Sequence, residues 1–183
     1  FFGSNGNADV LTDQAAGASS LIVGSPMTIQ NGAPASGGTG TVVLLQDQNY
    51  TGGTLVNRSS TLDFRGTLTT SGFEVYGTLN VAGEKGTFLS GGSGSNIPVT
   101  LRPGAMLRFD NTSAGVLPIS ATEGRWEDAV GISLHDTVLR LQGNPAVEVA
   151  ETVGVITAEN GGNRIEVVRG VIGSGTELRT PSI

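Results

Sequence analysis

The sequence has no cysteine, a single histidine and a single tryptophan, and only 14% of its residues are charged. Without cysteine there can be no disulfide, no thiol nucleophile and no thiolate metal site. Stability must then come from one sizeable apolar core or from a stacked array, and 183 residues suffice for a domain of either kind. The net charge of −6 comes without the basic stripe that neutralises phosphates, so nucleic acid and anionic membrane surfaces are not expected partners. No apolar run approaches the roughly 20 residues of a spanning helix, and no membrane insertion by this segment is expected. The first ten residues, FFGSNGNADV, lack the basic start and extended apolar region of a secretory signal. Residues 1–183 are expected to be one segment of a longer chain.

What is abundant is glycine, 29 residues, without the every-third-residue spacing of collagen. Thr, Ser, Asn, Val and Leu fill much of the remainder, a mixture that suits pleated surfaces and tight turns better than helix faces. The chain is expected to be all-β, with no significant helix.

Apolar-polar-apolar triplets recur: Leu62-Asp63-Phe64, Leu79-Asn80-Val81, Leu107-Arg108-Phe109, Leu139-Arg140-Leu141, Val147-Glu148-Val149 and Ile165-Glu166-Val167. With period two, each sends its apolar pair to one face and its polar residue to the other. Glycine-rich punctuation separates them, at Gly52-Gly53, RPGA (Arg102 to Ala105), QGNPA (Gln142 to Ala146) and NGGN (Asn160 to Asn163).

Many short strands and glycine turns fit either an antiparallel sandwich or a solenoid of stacked parallel strands. The Gly-Thr-Leu entry at Gly66-Thr67-Leu68 and again at Gly77-Thr78-Leu79 favours the solenoid. So does the scarcity of aromatics, 5%, which is thin for a two-sheet core but adequate for a narrow aliphatic one. The period is irregular, since Leu62 to Leu79 is about half the interval from Leu107 to Leu139. Loops of varying length are therefore expected between coils.

The stretch NYTGGTLVNRSSTLDFRG, Asn49 to Gly66, resembles the autotransporter-associated β-strand repeat of large bacterial surface proteins. The likeness lies in Tyr50-Thr51-Gly52-Gly53-Thr54, Val56-Asn57 and Thr61-Leu62; Arg58-Ser59-Ser60 replace the usual glycine-containing turn. Downstream, Leu139, Leu141, Gly143, Glu151-Thr152-Val153-Gly154 and Ile156 are similar to the block that often follows such repeats. The resemblance implies a right-handed parallel β-helix (β-solenoid), with irregular coil lengths here, at an extracellular or cell-surface location. It implies no particular ligand.

Chemistry-bearing residues are few. His135 beside Asp136 could form a base held by a carboxylate, but no partnered nucleophile is visible, and a turn before the strand through Leu139 explains the pair better. Carboxylates on adjacent coils of a β-helix can cooperate in polysaccharide cleavage, which makes Asp110, Glu123, Glu127, Asp128 and Asp136 candidates; solvated loop positions are the simpler account. Trp126 lies in the most charged segment, SATEGRWEDAVG. Arg125, Trp126, Glu127 and Asp128 are the candidate contacts for a surface glycan or protein partner, set against a tryptophan that merely covers the side of the solenoid.

The calcium-binding β-roll nonapeptide, the helix-loop calcium ladder, the histidine zinc pair and the phosphate-binding glycine loop are all missing from the sequence. No cofactor is expected. Sequons at Asn49, Asn57 and Asn111 are at the level chance provides in so Asn- and Thr-rich a chain. The function expected is a non-catalytic structural module (stalk, adhesin, or filament or surface-layer block) that associates with itself. A carbohydrate-binding or polysaccharide-cleaving domain, with its site between Glu123 and Asp136, is the alternative.

Overall fold

The computed structural model describes residues 20–24, 29–30, 33–34, 40–48, 50, 52–90, 99–113, 124–170 and 175–182. Among them there is no helix. Two six-stranded sheets are parallel throughout. The first runs through Leu21–Val23, Thr54–Val56, Phe73–Val75, Val99–Leu101, Ile132–His135 and Ile156–Asn160, in that spatial order. The second runs through Gly40–Leu44, Ser60–Phe64, Thr78–Val81, Met106–Asp110, Val138–Gln142 and Arg164–Val168. The chain visits the two alternately, so each tier contributes one strand to each sheet.

A third set is shorter: Thr67–Thr70 pairs with Thr87–Ser90, and Val149–Thr152 with Thr176–Arg179, both parallel. Single bridges join Gln48 to Leu68 and Phe88 to Trp126. The one antiparallel pairing among the described residues is Ile29–Gln30 with Ala33–Pro34. Parallel pairing of segments distant in sequence excludes the antiparallel sandwich for the described sheets.

Register follows the apolar triplets. In the second sheet Leu62, Leu79, Leu107, Leu139 and Ile165 are successive partners, as are Phe64, Val81, Phe109, Leu141 and Val167. A one-residue slip would turn both columns to solvent, so their burial fixes the pairing. The four leucines of the first column are fully buried, each worth about 1.5–3 kcal/mol relative to exposure.

One triplet fails. Val147 is exposed, and the strand begins only at Val149. The Asn144 side chain accepts hydrogen bonds from the backbone N–H groups of Ala146 and Val147, which holds this stretch in a turn.

The Gly-Thr-Leu entries also have a physical cause. A Cβ on Gly77 would lie 2.2 Å from the Ser60 carbonyl oxygen, and one on Gly66 would lie 2.4 Å from the Gln46 carbonyl carbon. Each glycine is thus set by close approach of the backbone one tier before it. The Arg58-Ser59-Ser60 departure from the repeat is accommodated by Ser59 at φ 63°. A non-glycine residue there carries a steric cost. Ser59→Gly is expected to raise stability by about 0.5–1 kcal/mol, read as a higher denaturation midpoint at unchanged slope; an unchanged midpoint would mean that the serine side chain offsets its own strain.

Candidate functional site

The sequence candidates do not converge. His135 ends its strand, and Asp136 occupies the following turn at φ 54°, where its Oδ1 accepts the Gly162 N–H at 3.0 Å. The turn account therefore fits Asp136, whereas His135 is the last residue of the strand before it. Asp110 accepts hydrogen bonds from the Thr112 N–H and hydroxyl and forms an ion pair with Arg108 at 2.8 Å. Glu123 lies outside the described residues. Glu127 is half-buried and Asp128 exposed, in a turn closed by the Val130 N–H donating to the Glu127 carbonyl. Among the described residues no three His, Asp or Glu side chains gather as a metal site would require. The sequons at Asn57 and Asn111 are buried, and Asn49 lies outside the described residues.

Arg125 and Trp126 are corrected from surface contacts to interior residues. Trp126 is 1% exposed and Arg125 2%. The indole lies 4.5 Å from the Phe88 ring, 5.5 Å from Phe109 and 6.3 Å from Phe73, centroid to centroid. It therefore fills the core instead of covering its side. Its N–H donates to the Val130 carbonyl at 3.1 Å, which satisfies the one polar atom the ring buries.

Around this ring the structure assembles a buried polar node. The Arg125 guanidinium donates from Nε to Asn111 Oδ1 at 2.5 Å, from Nη1 to the Gly86 carbonyl at 3.0 Å and from Nη2 to the Gly83 carbonyl at 2.6 Å. Burial lowers its pKa to about 10, so it remains a cation at neutral pH. Asn111 is tied to the next tier, because Asn144 Nδ2 donates to its carbonyl at 2.8 Å.

Glu151 is the second charged member. It is completely buried, and its two oxygens accept the backbone N–H groups of Arg125, at 2.9 Å, and Trp126, at 2.8 Å. Burial raises its pKa to about 7, outweighing the lowering effect of those two hydrogen bonds. A smaller node elsewhere joins the Tyr50 and Thr54 hydroxyls at 2.5 Å, with Thr70 donating to the Gly52 carbonyl at 2.5 Å. Burial pushes the Tyr50 phenol up to about 12.

Chemically these nodes are clamps. Their donors and acceptors are spent on the backbone and on one another, and among the described residues no nucleophile stands beside a base in either. Sequence reasoning passed over Glu151 as a functional candidate, although its position carried a signal. In Val149-Ala150-Glu151-Thr152-Val153 the carboxylate falls in the same alternation phase as the two valines, which is the buried phase. No protein-family model, no curated protein and no solved structure matches the chain.

Proposed function

We propose that the chain is a right-handed parallel β-solenoid segment acting as a non-catalytic, extracellular structural module of a bacterial surface protein. Alternation of consecutive strands between two parallel sheets supports this reading, as does the resemblance to the autotransporter-associated repeat. The observation that carries it is an interrupted column. Leu139 and Leu141 are fully buried, whereas their partners in the last strand, Ile165 and Val167, are 39% and 45% exposed.

Among the described residues, the last coil thus offers apolar side chains in the column phase and a strand edge with no further partner, the requirements for receiving another coil. The partner is a second copy of the chain, whose first strand of the second sheet, Gly40–Leu44, would extend the same columns through Val42 and Leu44. A joint of this kind makes stalks, layers or filaments. The glycan-binding alternative, placed between Glu123 and Asp136, loses support from the burial of Arg125 and Trp126; of its candidates among the described residues, Asp128 and Asp136 are exposed and Glu127 is half-buried.

Electron microscopy and sedimentation of the chain at increasing concentration provide the test. Elongated particles that lengthen with concentration are expected, with the double change Ile165→Lys, Val167→Glu stopping growth at single rods and leaving the β-sheet circular dichroism unchanged. Compact spheres would overturn the solenoid, and rods that never lengthen would overturn self-stacking alone.

A further inference from the structure

The turn NGGN joins the last strands of the two large sheets, Ile156–Asn160 and Arg164–Val168, and opens with an Asn-Gly pair. Two further such pairs, Asn5-Gly6 and Asn31-Gly32, lie outside the described residues. The fold demands glycine at 161. Its φ is 79°, in the left-handed region, and a Cβ there would lie 2.5 Å from the Asp136 Cβ of the preceding coil. No comparable demand falls on Asn160. Among the described residues its side-chain amide makes no hydrogen bond, and neither does the Gly161 N–H.

A carboxamide with no structural task is thus followed by a backbone nitrogen that is unspent and has no side chain to shield it. The Asn160 carbonyl accepts the Asp136 N–H at 3.0 Å and Asn163 Nδ2 at 3.0 Å. Both bonds must release as the peptide plane turns to bring the Gly161 nitrogen to Cγ. Such opening costs little here, because residues 157–162 are all exposed and no described strand lies beyond Ile156–Asn160 in its sheet.

We propose that Asn160-Gly161 is a self-modification site: the Gly161 nitrogen closes on the Asn160 side chain, the resulting succinimide hydrolyses to aspartate or isoaspartate, and the turn joining the last two strands loosens. The Gly161 N–H gives its proton to hydroxide, the nitrogen bonds to Cγ, and the bond from Cγ to Nδ2 breaks, releasing ammonia. Water then adds to one imide carbonyl and breaks one of its two C–N bonds; nothing is oxidised or reduced. Breaking the bond to Cγ gives aspartate. Breaking the bond to the Asn160 backbone carbonyl carbon gives isoaspartate, whose main chain is longer by one methylene.

Either product sets a new carboxylate near Asp136, the residue packed against Gly161. The added methylene has no slack to enter, since Arg164–Val168 is held in register on Val138–Gln142. The bonds that must give are the Gly162 N–H to Asp136 Oδ1, 3.0 Å, and the Thr137 N–H to Asn163 Oδ1, 3.2 Å.

Two measurements on the intact, dilute chain test the site, and neither depends on whether copies stack. Mass-spectrometric peptide mapping after incubation at neutral pH is expected to find Asn160 converted about tenfold or more faster than Asn163. Asn163 is the internal control: it shares the turn, but it precedes Arg164 and both ends of its amide are hydrogen-bonded. Isoaspartate should be among the products, and the rate should rise with pH because the attacking nitrogen must lose its proton. Conversion no faster than at Asn163, or aspartate without isoaspartate, would overturn the proposal. In Asn160→Gln the mass gain in this peptide should vanish; its persistence would place the reaction elsewhere. Hydrogen exchange at the Gly162 and Thr137 amides is expected to quicken in the converted protein, and unchanged protection would overturn the loosening.

Discussion

Trp126→Ala is expected to lower the free energy of unfolding by about 3–5 kcal/mol, the range for deleting a large aromatic side chain from a core. The indole touches Phe88, Phe109 and Phe73, which belong to different strands, so no single neighbour can collapse into the space it leaves. Its N–H also leaves the Val130 carbonyl without that donor. Urea denaturation followed by circular dichroism measures the loss. Trp126→Phe keeps most of the ring contacts and should recover more than half of it. A loss below about 1 kcal/mol, within the range of a surface change, would contradict the interior placement and restore Trp126 as a contact residue.

Arg125→Met should cost a similar amount, about 3–5 kcal/mol, although it introduces an apolar side chain into a buried position. The reason lies in what stays behind. Asn111 Oδ1 and the carbonyls of Gly83 and Gly86 lose their donors together, and each buried unsatisfied group costs about 1–3 kcal/mol. Arg125→Lys should rescue little, because one ammonium on a flexible stem cannot reach three acceptors that match a planar guanidinium. Full stability of the lysine variant would show that charge, and not the fork geometry, holds the node. Since Arg125 and Trp126 are neighbours in one packed unit, the double variant should lose less than the sum of the single losses.

Much of the second sheet was legible in the sequence. Leu79-Asn80-Val81, Leu107-Arg108-Phe109 and Leu139-Arg140-Leu141 alternate cleanly because one face of each strand is buried and the other is wet, while in Leu62-Asp63-Phe64 the aspartate is buried as well. Val147-Glu148-Val149 has the same local pattern and a different fate, because the Asn144 side chain competes for the backbone amides. Alternation reports which faces could be buried, and a nearby asparagine decides whether the strand has begun.

The polar node was less accessible for a different reason. The acceptors of Arg125 lie 14, 39 and 42 residues away in the chain, with parallel strands at unequal sequence intervals between them. A charged segment around a tryptophan suggests a surface when read locally. It becomes an interior only when those remote carbonyls are brought to it. Glu151 was closer to being readable, since its phase in the alternation marked it as buried before any partner was known.

The alternation of bulk along one column constrains how such a chain can change its length. Phe64, Val81 and Phe109 follow one another, large, small, large, whereas the neighbouring column is leucine at each of those levels. Excising the single level that contains Val81 would set two phenylalanines about 4.8 Å apart where a valine had separated them. The leucine column would register no change. Loss of the level that contains Val81 should therefore be tolerated less readily than loss of either level beside it, where Leu44 or Leu141 would meet Val81 instead.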